Sequence, residues 1–243
     1  MQILLQKNLK QQLAISCAQA REDVTKTGDI DFCPPSSKVP VFREPESIKK
    51  VQNELRGHSK VGSLAELCQQ NSECQRCALG PTRNQFVFGS GHDGSSLMFV
   101  GEGPGADEDR LGLPFVGKAG KLLDRMIDVI GLDREDVYVT NVVKCRPPNN
   151  RNPTSDEIAH CMGILERQIE LVNPKLIVTL GNVPTQALLP GSPGITKSRG
   201  SLKKYRDWNI LPTYHPSYLL RNPKAMHEAW QDFQKISEYA FPH

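Results

Sequence analysis

The sequence lacks the features of a membrane or exported protein. None of its apolar runs approaches the roughly 20 residues that a membrane-spanning helix requires. The amino-terminal segment, MQILLQKNLKQQLAIS, has no basic start, no long apolar stretch and no small-residue cleavage site, so we do not expect a signal peptide. A hydrophobic content of 38% and a mean hydropathy of −0.44 are typical of a soluble α/β core. We therefore expect a cytoplasmic protein without membrane contacts.

The chain also has little excess charge. Its 30 basic and 27 acidic residues give a formal net charge of +3, which is too small to establish nucleic-acid binding. Basic side chains nevertheless cluster between Lys197 and Arg206, and Arg221 and Lys224 follow. This segment can bind phosphates, but it can equally be an ordinary solvated surface.

Cysteine is present in an odd number, seven. Without an export signal we expect a reducing compartment and no structural disulfides. Cys74 and Cys77 are separated by two residues, in the spacing C-x-x-C. Cys145 follows a predicted strand, and Cys161 lies in the next predicted helix. Four such thiolates could bind zinc or a [4Fe–4S] cluster, and spacing does not distinguish the two; Cys161 could also be a small core residue. Three cysteines have no partner at a matching spacing: Cys17, Cys33 and Cys68.

The chain divides into an extension and a globular part. Residues 1–62 contain a predicted helix over 1–21 and then a segment rich in proline, serine and charge, which is typical of a linker. In residues 63–243, four apolar runs predict strands, at 97–100, 137–140, 176–180 and 210–213. Helical patterns separate these runs. The order predicts an α/β fold, a single αβα sandwich with a central, mostly parallel four-stranded sheet.

Polar residues follow three of the predicted strands. Glu102 comes after the first, Asn141 ends the second, and His215 follows the fourth. Ligands bind at the carboxyl ends of such strands, so these residues are candidates for one site. The Asn141 amide offers a donor and an acceptor and can read the edge of a base, although asparagine is also common in turns. A buried, hydrogen-bonded histidine is the structural alternative for His215.

The segment GEGPGADEDRLGLPFVGKAG is the densest motif. Its glycines let a backbone approach a ligand closely. Four acidic residues follow or interrupt them: Glu102, Asp107, Glu108 and Asp109. A phosphate cradle fits poorly, because no Lys-Ser or Lys-Thr follows and the acids would repel phosphate. Phe115 could present its ring to a pocket or lie in the core.

Several motifs occur together in one order: C-x-x-C-x-L-G-x-x-R from Cys74 to Arg83, GEGPG, LPFVGKAG, TNVVKCRPP, Cys161, Arg199-Gly200 and YHPSYLLR. From about Leu64 to the carboxyl end the chain resembles the family 4 uracil-DNA glycosylases, the iron–sulfur branch of that superfamily. The resemblance implies a single αβα sandwich and excision of uracil from single- or double-stranded DNA, leaving an abasic site.

The resemblance also implies a [4Fe–4S] cluster on four cysteines: Cys74, Cys77, Cys145 and Cys161. Ala106 stands where relatives often carry another acid, and residues 1–62 lie outside the family core.

The resemblance assigns roles residue by residue. Phe115 would stack on the flipped uracil, Asn141 would hydrogen-bond its polar edge, and His215 would face its carbonyl oxygen. Glu102 would lie near the sugar and the attacking water. Two residues would complete the pocket, Gly103 by a backbone contact and Glu108 as part of its wall. Three residues would hold the DNA backbone: Arg199, Ser217 and Arg221.

Other expectations concern partners and rival activities. We expect a monomer in a bacterial or archaeal cytoplasm, with residues 1–62 available to a protein partner such as a sliding clamp. No lysine is placed for a Schiff base, which predicts an enzyme without strand cleavage. Rival functions are a non-catalytic DNA-binding module that carries a cluster, a metal-dependent hydrolase using the acids of 102–109, and a relative that excises other bases or traps DNA covalently. The loop 149–153 lacks a basic, His-bearing insertion, which disfavours covalent trapping.

Overall fold

The computed structural model of the protein describes residues 62–240. The predicted helix over 1–21, the linker that follows it, Cys17 and Cys33 lie outside these residues. The α-helices are α1 (Leu64–Asn71), α2 (Ala106–Leu111), α3 (Lys118–Val129), α4 (Ser155–Val172), α5 (Asn182–Leu188), α6 (Ile195–Ser198), α7 (Pro216–Arg221) and α8 (Met226–Ala240). Short 3₁₀ helices cover Gly80–Thr82, Arg134–Asp136, Pro148–Asn150 and Pro223–Ala225. No helix in this part of the chain is long and apolar enough to cross a membrane.

A single sheet of five strands forms the centre of the fold. The strands are β1 (Leu97–Gly101), β2 (Tyr138–Asn141), β3 (Leu176–Leu180), β4 (Lys203–Tyr205) and β5 (Trp208–Thr213). Their order across the sheet is β2-β1-β3-β5-β4, and every neighbouring pair is parallel except β4 with β5. Because β2, β1, β3 and β5 are parallel, their carboxyl ends lie at one edge of the sheet, where the polar residues of the sequence motifs follow them.

The prediction of a four-stranded sheet was wrong, because the sheet has five strands. All four predicted strands are present, but the sheet is mixed because β4 adds an antiparallel edge. β4 is only three residues long, KKY, and none of the three is buried. A short edge strand with lysines has no apolar run, so the pattern that predicts buried strands does not detect it.

The two faces of the sheet are both covered. Along β1, Leu97 and Phe99 belong to one hydrophobic cluster, while Met98 and Val100 belong to the other. The first cluster contains buried residues of α3 and α8, and the second contains those of α4. This arrangement follows from the period of two along a strand, and it explains why all five residues of β1 are buried.

Candidate active site and cysteine site

Three loops of the carboxyl edge meet above Gly101. The parallel register places Gly101 beside Asn141. A Cβ atom built on Gly101 would lie 2.3 Å from Asn141 Oδ1 and 2.5 Å from Phe115 Cζ. The ring centroids of Phe115 and His215 are 5.8 Å apart, with 32° between the ring planes. The missing side chain of Gly101 therefore lets the Phe115 ring and the Asn141 amide come together, with the His215 imidazole beside the same ring.

The backbone at Phe115 has a strained conformation. Phe115 has φ of 55°, which non-glycine residues rarely adopt. Glu108 holds the following peptides: its Oε1 accepts hydrogen bonds from the N–H groups of Val116 and Gly117, both at 2.9 Å. Its Oε2 accepts from the N–H of Gly105 at 3.0 Å. Glu108, predicted as part of the pocket wall, thus ties the glycine loop to the loop that presents Phe115.

Asn141 is buried, and its side chain has an unused acceptor. The residue is 2% exposed. Its Oδ1 is buried and has no hydrogen-bond partner among the described residues. An unsatisfied buried acceptor costs about 1–3 kcal/mol, so this oxygen is prepared for an N–H group of a ligand.

His215 is oriented by Ser217. The Nδ1 atom of His215 accepts from the Ser217 N–H at 3.0 Å and lies 2.7 Å from Ser217 Oγ. Because Nδ1 is an acceptor, the ring proton of the neutral imidazole is on Nε2. Burial, assisted by the charge of Arg221 and opposed by Glu108, lowers the pKa of His215 to about 4. The imidazole is therefore a neutral donor near pH 7, and Ser217 is engaged with it rather than only facing DNA.

Glu102 and Gly103 line the same edge. Burial raises the pKa of the half-buried Glu102 carboxyl above its usual value. The Glu102 carbonyl accepts from the Val143 N–H at 3.1 Å, which joins the loops after β1 and β2. A Cβ atom on Gly103 would lie 2.7 Å from Val143 Cγ2, so a larger residue would push these loops apart.

The remaining acids of the motif have local partners. Asp109 is buried and accepts from the backbone N–H and the side-chain Nδ2 of Asn84, at 2.8 and 2.7 Å. Asp107 lies 3.6 Å from Arg110. Glu108 accepts three hydrogen bonds from backbone N–H groups, so all three acids have structural contacts. This disfavours a metal-dependent hydrolase in which their carboxylates would be free to bind the metal.

The predicted DNA contacts Arg199 and Arg221 have different surroundings. Arg221 is exposed at the end of α7. Arg199 instead forms a bidentate ion pair with Asp232: its Nε lies 2.9 Å from Oδ2 and its Nη2 lies 2.7 Å from Oδ1. Its Nη2 also donates to the carbonyl of Glu228. Arg199 thereby connects the α6–β4 segment to α8, and its contact with DNA stays a prediction.

The ion pair of Arg199 with Asp232 leads to a stability prediction. Asp232 is 1% exposed and also accepts from Thr213 Oγ1 at 2.7 Å. We expect Asp232→Ala to lower the free energy of unfolding by about 3–5 kcal/mol, because it leaves a largely buried guanidinium without its partner. Urea denaturation measures the change, with Asp128→Ala as the matched control on the exposed side of α3. Equal stability of the two variants would contradict the structural role.

The four cysteines of the predicted cluster lie near one another. Cys145 and Cys161 are buried, Cys74 and Cys77 are half-buried, and all are free thiols. Burial is the main cause that raises the pKa of Cys145 to about 12; Arg83 opposes the shift, and Cys161 and Cys77 contribute to it. Burial likewise raises the pKa of Cys161; the charge and the backbone N–H of Lys144 oppose this shift, and Cys77 and Cys74 add to it. Cys145 and Cys161 belong to one hydrophobic cluster, and Cys77 packs against it.

Cationic side chains surround these thiols. Arg83 Nη1 lies 3.5 Å from Cys145 Sγ, and Arg76 Nε lies 3.2 Å from Cys74 Sγ. Arg83 also donates to the Cys74 carbonyl at 2.6 Å and to the Ser72 carbonyl at 2.8 Å. Positive charge and N–H donors at sulfur stabilise thiolates, which is the form that binds a metal.

Within residues 62–240, no three His, Cys, Asp or Glu side chains are grouped closely enough to hold one metal ion. A four-iron cluster does not require that closeness, because each thiolate binds a different iron. The donor set and its cations therefore fit such a cluster.

Comparison with known proteins identifies the family. Residues 88–234 match the model of the uracil DNA glycosylase superfamily. The type-4 uracil-DNA glycosylase of Sulfurisphaera tokodaii is 46% identical over 189 residues, 74% of this chain and 86% of that protein. That of Archaeoglobus fulgidus is 41% identical over 184 residues, 72% and 92% of the two chains. That of Thermotoga maritima is 48% identical over 155 residues, 62% and 79%. The chain therefore belongs to the uracil DNA glycosylase superfamily, and within it to the type-4 uracil-DNA glycosylases.

Proposed function

We propose that this protein excises uracil from DNA by hydrolysing the N-glycosidic bond and leaves an abasic site for base excision repair. The observation that carries the proposal is the position of Phe115, which lies with Asn141 at Gly101 and beside the ring of His215. The target base is stacked inside DNA, so the nucleotide must first be extruded, at a cost of a few kcal/mol.

Phe115 and Asn141 recognise the extruded base. Stacking on the Phe115 ring contributes about 1–3 kcal/mol, comparable to the cost of extrusion. The unpaired Oδ1 of Asn141 accepts the N3–H of uracil, and its Nδ2 donates to the O4 oxygen. Cytosine carries an acceptor at N3 and a donor at C4, so it would oppose like groups at both positions. This mismatch protects the normal base.

His215 stabilises the leaving group. As the bond between C1′ and N1 breaks, its electron pair moves to the uracil, and negative charge develops on the O2 oxygen. The Nε2–H of the neutral imidazole donates to that oxygen, while Ser217 holds Nδ1 and so fixes the direction of the donor. A preorganised donor of this kind is worth about 2.7–4 kcal/mol in the transition state.

Glu102 serves the sugar. The departing base leaves positive charge on the deoxyribose, and the Glu102 carboxylate stabilises this charge and orients a water molecule. The water oxygen forms the new bond to C1′, its proton passes to the carboxylate or to solvent, and the uracil anion is protonated afterwards. Burial strengthens these interactions because it lowers the local dielectric constant.

We also propose a [4Fe–4S] cluster held by Cys74, Cys77, Cys145 and Cys161. Support comes from the neighbouring free thiols and from Arg76 and Arg83 beside them. When bound, the cluster would join the segment before β1 to the loop after β2 and to α4, and the hydrolysis requires no electron from it.

The wild-type protein tests the proposal directly. Oligonucleotides with one uracil, single-stranded or paired with guanine or adenine, should be cleaved at that position by hot alkali after incubation. Excision should persist in a chelator of Mg²⁺, unlike the action of a metal-dependent hydrolase using residues 102–109. A protein that binds these DNAs without releasing uracil would be the non-catalytic module, and the proposed function would be wrong. Hypoxanthine-containing DNA tests a broader base range.

The state of His215 sets a pH dependence. Because burial lowers its pKa to about 4, its donor function should persist as the pH falls through 6.5, the usual histidine value. The lowered pKa of His215 also affects the free energy of unfolding. The neutral imidazole contributes fully to stability above about pH 6.5, and this contribution is lost as the pH falls toward the folded-state pKa. We expect single-turnover rates without an inflection near pH 6.5. Protonation of the Glu102 carboxyl also lowers the rate at lower pH. The variant Glu102→Gln lacks this carboxyl, so its pH profile shows the effect of His215 alone. A drop centred at pH 6.5 in both proteins would contradict the neutral imidazole.

The proposal includes a monomer that acts on DNA in the cytoplasm. Residues 1–62 are proposed as the segment that binds a protein partner. These parts of the proposal rest on the sequence, and size measurement in solution and removal of residues 1–62 test them.

A further inference from the structure

A lysine is fully buried between the active site and the cysteine site. Lys144 is 0% exposed and follows Asn141 by three residues. Its Nζ donates to the Asn141 carbonyl at 2.5 Å and to Thr140 Oγ1 at 2.8 Å. No Asp or Glu of the described residues forms an ion pair with it; burial lowers its pKa, and the nearby Cys161 and Cys145 oppose that shift.

The Asn141 carbonyl needs this donor. Asn141 ends β2, an edge strand of the sheet, and its unpaired Oδ1 lies, like the Phe115 ring, close to Gly101. A buried backbone carbonyl at an edge has no neighbouring strand to satisfy it and requires another donor. The amine of Lys144 supplies the bond, and either protonation state of that amine can donate it.

A buried polar network fixes Lys144 in turn. Thr140 Oγ1 donates to the Phe88 carbonyl at 2.8 Å, which leaves its lone pairs to accept from Lys144. Gln168 Nε2 donates to the same Phe88 carbonyl at 2.9 Å and to Tyr138 Oη at 3.0 Å. The network therefore extends from α4 through β2 to the last peptide of that strand, where Asn141 begins the recognition loop.

We propose that Lys144 is a positioning residue that fixes Asn141 for reading the base. This inference rests on the proposed function, because it assigns to Lys144 the placement of the amide that distinguishes uracil. Lys144 does not contact the base itself. It acts by holding the peptide from which the Asn141 side chain leaves the backbone.

A double-mutant cycle tests the inference. Lys144→Met keeps an unbranched chain of similar length and removes the donors. We expect it to slow single-turnover excision of uracil by about 10- to 100-fold, as expected for a misplaced binding group. Inhibition by free uracil, which probes the pocket without DNA, should weaken as well. In the Asn141→Ala background, the same change should slow excision by less than about 3-fold, because the group that Lys144 positions is already absent.

Gln168→Met is the matched control. Gln168 is equally buried and belongs to the same network, but it does not contact Asn141. We expect Gln168→Met to lower the unfolding temperature. Any decrease that it causes in the excision rate should be the same in the wild-type and Asn141→Ala backgrounds. Lys144→Gln keeps one donor and should restore part of the rate.

The outcomes are distinct. A wild-type rate for Lys144→Met, or an equal loss with and without Asn141, would overturn the inference. Loss of iron and visible absorbance in both Lys144 variants would show that the residue serves the cysteine site instead, which also overturns it. If wild-type protein itself releases no uracil, the proposed function fails, and that result is recognised before any variant is compared.

Discussion

Replacing His215 by alanine is expected to slow the excision of uracil by about 10²- to 10³-fold, the usual effect of removing one preorganised donor from a developing oxyanion. The reason is specific to this structure. Ser217 occupies Nδ1, so the only ring proton of the neutral imidazole is on Nε2, and the Asn141 amide is already assigned to N3–H and O4 of the base. Single-turnover measurement on uracil-containing DNA gives the chemical step.

Two control variants define the role of the imidazole. Ser217→Ala removes the hydroxyl that lies 2.7 Å from Nδ1 but keeps the backbone N–H, so it should slow excision by only several-fold, corresponding to about 1 kcal/mol. His92→Ala changes an exposed histidine in the loop before β1 and should leave the rate unchanged. All three variants should retain visible absorbance and iron. An His215→Ala protein as fast as wild type would remove His215 from the mechanism.

Replacing Cys145 by serine is expected to have the largest effect on stability. Cys145 is buried beside Arg83, and its thiol lies near those of Cys161 and Cys77. Loss of one ligand should release the cluster and leave the remaining thiols and two arginines without their shared partner. Because a bound metal centre contributes its binding energy to folding, we expect a loss of more than about 4 kcal/mol in the free energy of unfolding.

Iron and sulfide content, visible absorbance and thermal unfolding measure this change. Cys68→Ser is the matched control, since Cys68 is a half-buried free thiol that packs against the same hydrophobic cluster but lies outside the ligand set. The control should keep its iron and most of its stability. If both variants contain iron at the wild-type level, Cys145 is a core thiol and the proposed ligand set is wrong.

Glu108 shows how far sequence reasoning could go within the site. Its presence in the acidic loop was evident, and the resemblance placed it in the pocket wall. Its position three residues after Gly105, at the start of α2, is a recognisable capping signal that would have predicted the bond to the Gly105 N–H. The bonds to Val116 and Gly117 had no such signal, because they depend on how the next loop folds back.

The sequence by itself determined the parallel core and the family. Strands such as β1 are buried on both faces, so they read as continuous apolar runs, and the polar residues that follow them fall at one edge of the sheet. The order of the sequence motifs also identified the family. The short strand β4 was missed because three residues at an edge, none of them buried, leave no apolar pattern.

Only the tertiary structure decided how the polar side chains are used. Arg199 has the sequence signature of a surface cation, yet its guanidinium pairs with Asp232, which lies 33 residues away in the chain. A lysine such as Lys144 is usually exposed, yet it is fully buried and donates to the Asn141 carbonyl. The physical reason is that a buried charge or donor is tolerated only where acceptors converge on it, and those acceptors come from segments that local sequence patterns do not connect.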